Sequence, residues 1–161
     1  MKNWMKGRVA TLASLAMATI SPVWAHESLC GQVTVTHPNG SPTLGLSKVG
    51  AVFMDALTNR AQEADQLLGA TTDVAAKVEL HQMVMDQNVM KMREVKAIDL
   101  PVGVPVSLQR GQGDGYHLML MGMNRTLEAG DKFKLTLKFL RAGTCTVEVW
   151  VESPKPGRHT H

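Results

Sequence analysis

Short runs of alternating apolar and polar residues, each closed by a glycine- or proline-bearing turn, recur along most of this chain. They fall at Gln32–Thr36, Gly50–Leu57, Lys77–Leu80, Val104–Leu108, Tyr116–Met121, Lys132–Leu140 and Thr144–Val151. A period of two sends successive side chains to opposite faces, so each run reads as a strand with one face to bury. The joints carry turn chemistry: Pro38-Asn39-Gly40, Pro101-Val102-Gly103, a hairpin loop at Gly111–Gly115, and Ala129-Gly130-Asp131 supply the fixed or positive φ that reversals need. No window holds a long apolar stripe at 3.6-residue spacing. Asn59–Leu68 alone offers a short turn of helix before Gly69. The pattern predicts a single all-β domain, a sandwich or a barrel.

The ends read differently. Lys2, Lys6 and Arg8 precede an apolar stretch from Val9 to Ile20, then Ser21-Pro22 and the small-residue terminus Val23-Trp24-Ala25, the order of a secretory signal. Cleavage is expected after Ala25. The apolar stretch is shorter than the roughly 20 residues a permanent span requires, so the cleaved chain is not expected to cross a membrane. The expected organisation is a signal at 1–25, a domain at 26–152 and a tail at 153–161. The chain has 17 basic and 14 acidic residues, and three of the basic ones lie in the signal. The remainder is balanced, with no basic run, which argues against a nucleic-acid partner.

Eleven Met against three Phe and one Tyr is the compositional oddity. Seven of the Met form two clusters, Met83, Met85, Met90 and Met92, then Met119, Met121 and Met123, opened by His81 and His117 respectively. Residues two apart share a strand face, so His117 and Met119 project together while Leu118 and Leu120 go to the other side, the expected core face. The same rule pairs Met90 with Met92, and sets Glu79 and His81 opposite Val78 and Leu80. Any single Met can be a flexible core filler. As a set, thioethers beside imidazoles, with no carboxylate or thiolate counted among them, select Cu(I) over Zn, Ca or Mg.

Other chemistries fit poorly. After Cys145 no Met follows, and no His until His159, which excludes the blue-copper arrangement. There is no Gly-x-Ser-x-Gly elbow, and the glycine-rich Gly111–Gly115 lacks a phosphate-loop ending. No paired carboxylates stand out, and no enzyme is expected. In an exported chain, Cys30 and Cys145 are expected to pair as a disulfide, the alternative being two free thiols used in redox or copper chemistry.

The stretches Lys77–His81 (KVELH), Val89–Arg93 (VMKMR) and Gly115–Gly122 (GYHLMLMG) resemble the periplasmic Cu(I) chaperones of the PCuAC family. The family pattern is His, ten residues, Met, about twenty-one residues, His, one residue, Met. It falls here on His81, Met92, His117 and Met119, with 24 residues between Met92 and His117. The resemblance implies a cupredoxin-like Greek-key fold and one Cu(I) held by those four residues. It also implies a periplasmic location and delivery to a copper acceptor, the copper-bearing subunit of a respiratory oxidase or its assembly factor. Met83, Met85, Met90, Met121 and Met123 stand as auxiliary candidates. His26, His159 and His161 are candidates for a weaker Cu(II) site at the termini. Two rival readings are a copper storage or resistance protein and a structural secreted β-domain.

Overall fold

The computed structural model describes residues 27–87, 89–109 and 115–153. The expected signal segment, His26 and the tail from Pro154, with His159 and His161, lie outside them. Among the described residues every regular element is a strand: β1 (Glu27–Cys30), β2 (Val33–Thr36), β3 (Asn39–Gly40), β4 (Val49–Asn59), β5 (Asp65–Thr72), β6 (Ala75–Asp86), β7 (Val89–Glu94), β8 (Ile98–Leu100), β9 (Pro105–Leu108), β10 (Gly115–Met123), β11 (Lys132–Phe139) and β12 (Thr144–Val151). No helix among them is long and apolar enough to cross a membrane.

The strands form an open, folded-over sheet in the order β7-β6-β10-β4-β3-β12-β11-β5-β8. The long strand β4 turns the corner. Its first half pairs with β10 and β3, and its second half pairs with β2 and β9, with the register broken between Met54 and Leu57. Between the layers lies one core of alternating side chains. It includes Val52, Met54 and Leu57 of β4, Leu80 of β6, Leu118 and Leu120 of β10, Leu135 and Leu137 of β11, and Val147 and Val149 of β12. Each such side chain contributes about 1.5–3 kcal/mol by leaving water. Cys30, at the end of β1, is disulfide-bonded to Cys145 in β12 with Cα atoms 5.4 Å apart, tying the first hairpin to the last strand.

Three sequence expectations are corrected. Asn59–Leu68 contains no helical turn: it is the end of β4, a tight reversal and the start of β5. The buried Asp65 carboxylate accepts backbone N–H groups from Gln66, Arg141 and Ala142 at 2.7, 2.8 and 2.9 Å. This holds β5 extended against the β11–β12 turn, a long-range tie that no local pattern carries. Asn39-Gly40 is not a turn but a short strand between β4 and β12, the positive φ falling on His37 instead. And β9 and β10 do not pair as a hairpin, since both pair with β4; the joining residues 110–114 lie outside the described ones. The turns at Gly103 and Gly130 form as expected, each with positive φ.

Candidate metal centre

Antiparallel pairing of β6 with β10 sets His81 directly opposite His117, and Glu79 opposite Met119. Pairing of β6 with β7 sets Met83 opposite Met92 and His81 opposite Glu94. Because residues two apart share a face, His81, Met92, His117 and Met119 all stand on one face of the β7-β6-β10 layer, the face opposite Leu80, Leu118 and Leu120. The two imidazoles meet edge to face with centroids 5.6 Å apart, and Phe53 of β4 flanks His117 at 6.3 Å. The sequence placed His117 on a face otherwise solvated. It is instead only 4 % exposed, while Met92 on the outer strand is 61 % exposed, so the centre runs from a buried imidazole to a thioether in water.

The protonation states follow from the contacts. Glu79 accepts a hydrogen bond from His81 Nε2 at 2.9 Å and one from Lys77 at 2.8 Å. These partners, Lys77 first and His81 second, hold its carboxyl below the usual range, and an ionised carboxylate can only accept. Nε2 therefore carries the ring proton, and in a neutral imidazole Nδ1 is left as a lone pair. Nδ1 is buried and has no hydrogen-bond partner, a costly arrangement unless something else uses it. Burial first, and the neighbouring His81 second, push His117 below its ordinary value near 6.5, which favours its neutral ring. Two imidazoles and two thioethers form a donor set that suits a soft monovalent ion. Among the described residues no group of three or more His, Cys, Asp or Glu side chains is arranged to hold a harder metal.

The remaining candidates divide. Met83 is buried yet stands apart from the main core, on the imidazole face beside Met92; Met85 and Met90 face each other farther along the same hairpin. Met121 is partly exposed, one strand step beyond Met119. Met123 belongs to the core. Gly122, in the left-handed region at φ 66, breaks the alternation, and Met123 comes to rest beside Leu120 over Gly50. Cys30 and Cys145 are bonded to each other, away from the imidazoles. Sequence reasoning missed Glu79 as a partner of the cluster, although its position two residues before His81 on one strand face was the available signal. It also missed His37, whose ring nitrogens contact Asp55 at 3.2 Å and Glu152 at 2.8 Å.

Comparison with known proteins agrees with this architecture. Among solved structures, the copper-bound PCuAC domain from PmoF2 superposes with a TM-score of 0.68 at 26% identity, covering 80% of this chain and 99% of that one. The Cu(I) form of DR1885 from Deinococcus radiodurans gives a TM-score of 0.55 at 29% identity over 76% of this chain and 79% of its own. The apo PCuAC domain from PmoF1, at 20% identity and a TM-score of 0.67, shares the fold over 80% of this chain. A Leifsonia xyli subsp. xyli protein, Lxx21020, whose name calls it a lipoprotein, is 37% identical over 107 residues; the match spans 66% of this chain and 62% of that relative. The chain thus spans less than two thirds of that relative's length. The family model for LpqE-like lipoproteins matches residues 32–151, and the chain belongs to the LpqE-like family.

Proposed function

We propose that this protein is a copper carrier of the exported compartment that holds one Cu(I) through His81 Nδ1, His117, Met92 and Met119. The observation that carries the reading is the pair of facing imidazoles, one with a buried Nδ1 that has no hydrogen-bond partner among the described residues. The copper-bound and Cu(I) structures of similar domains support copper as the cargo, and the lipoprotein names of relatives support export. Neutral ligands bind without a strong electrostatic clamp, and Met92 lies at the exposed edge. It is the first donor a partner can replace, so Cu(I) can pass by stepwise ligand exchange to an acceptor, which the PCuAC resemblance identifies with the copper-bearing subunit of a respiratory oxidase or its assembly factor. Competition titration of the 26–161 chain with Cu(I) under reducing conditions, with X-ray absorption of the product, tests the site. Mixed nitrogen and sulfur ligation that changes in Met92→Leu and Met119→Leu is expected. Unchanged ligation and affinity in both variants would overturn the assignment.

A further inference from the structure

The β6–β7 hairpin carries three facing pairs on its imidazole side: His81 with Glu94, Met83 with Met92, and Met85 with Met90. Successive pairs are separated by about 6.8 Å along the strands, and side chains directly opposite have Cβ atoms about 5 Å apart. An unbranched thioether reaches across either gap. Four sulfurs are therefore brought together in two consecutive rungs, immediately beyond the His81–His117 pair.

None of Met83, Met85 and Met90 belongs to the main core. Met83 is 5 % exposed, and Met85 and Met90 are 48 % and 43 % exposed. All of β7 is exposed at one end of the sheet order, where a chain ordinarily places charge rather than soft apolar groups. The charges that do occur at this end of the hairpin, Lys91 and Asp86, lie on its other face and pair with each other at 2.6 Å. On the sulfur face the charges, Glu79 and Glu94 paired with Lys77, lie at the imidazole end of the hairpin. Thioethers carry no competing proton, so such a cluster keeps its donors at any pH.

We propose that Met83, Met85 and Met90 form a second site for soft monovalent cations, Cu(I) or Ag(I), at the end of the hairpin, and that Met92 is a thioether common to both sites. An ion at the hairpin end moves inward by exchanging a thioether for His81 Nδ1, with no change in its oxidation state. The identity of the biological cation rests on the Cu(I) reading above; the all-sulfur site does not.

The test uses Ag(I), in chloride-free buffer, with the 26–161 chain labelled with 13C at its methionine methyls. Two equivalents are expected to bind, the first shifting the methyls of Met92 and Met119, the second those of Met83, Met85 and Met90. Met85→Leu/Met90→Leu removes two exposed sulfurs with little change in volume. It is expected to lose one equivalent while the Met119 shift persists. His81→Ala is expected to leave the shifts of Met85 and Met90 in place. Binding of a single equivalent with Met85 and Met90 unmoved would overturn the second site. Movement of Met85 and Met90 without Met119 would keep it and instead remove the His/Met assignment.

Discussion

Glu79 Oε2 lies 2.9 Å from His81 Nε2, so a carboxylate two positions upstream on the same strand face decides which nitrogen of that imidazole is free for a metal. Fixing the tautomer and ring orientation of a ligating His is the usual task of such a partner, and its loss costs about 10- to 100-fold in metal affinity. Glu79→Gln keeps the size but replaces an obligate acceptor with a group that also donates. Cu(I) affinity is expected to fall by about tenfold, within that range, with the fold unchanged by circular dichroism. Unaltered affinity would reduce Glu79 to a surface ion-pair partner of Lys77.

The pH dependence of Cu(I) binding follows from His117. Its value is lowered, by burial first, and the ring must be neutral to bind, so protons begin to compete only below the ordinary imidazole range. Affinity measured against a pH-corrected competing ligand is expected to be level from about pH 8 to pH 6.5 and to fall at more acid pH. A decline already complete by about pH 7 would contradict a buried neutral His117.

His37 behaves with the opposite sign. Its hydrogen bond to Glu152 is the largest cause raising its value, opposed by burial and reinforced by the charges of Glu152 and Asp55. A group whose value is raised on folding stabilises fully below its unfolded value and loses that contribution as pH rises through the folded one. The stability difference between the natural chain and His37→Gln, read from urea midpoints, is expected to be largest near pH 5.5 and to shrink toward pH 8.5, about 1 kcal/mol at most because both carboxylates are partly solvated. A gap that does not change with pH would show that the ring acts by packing rather than by charge, and one that widens with pH would contradict the raised value.

What the sequence reveals of this site depends on how far each constraint reaches along the chain. His117 and Met119 are legible because one strand and a period of two decide their face, and that face survives in the structure. The same rule fails four residues later, at Met123, because the left-handed Gly122 interrupts the alternation. Strand β7 escaped pattern reading since all six of its residues are exposed and nothing in its burial alternates. Met92 was singled out from its methionine cluster by the family spacing; its position depends on the β6–β7 register. The mistaken helical turn at Asn59–Leu68 reflects a contact between Asp65 and backbone more than seventy residues away.

The Cys30–Cys145 bridge separates stability from cargo binding. It joins residues 115 positions apart, and closing a loop of that length restricts the unfolded chain by an amount worth about 4–5 kcal/mol, with measured values commonly smaller. Neither sulfur belongs to the imidazole face, which is built by β6, β7 and β10, whereas the bridge ties β1 to β12. Reduction, or a Cys30→Ser/Cys145→Ser double variant, is therefore expected to lower the urea midpoint markedly. At a temperature where the variant stays folded, its Cu(I) affinity and stoichiometry should match those of the oxidised chain. Thiol counting on the unfolded, unreduced protein should find no reactive sulfhydryl. Two titratable thiols would remove the bridge, and loss of Cu(I) in a folded double variant would bring the cysteines into the metal chemistry.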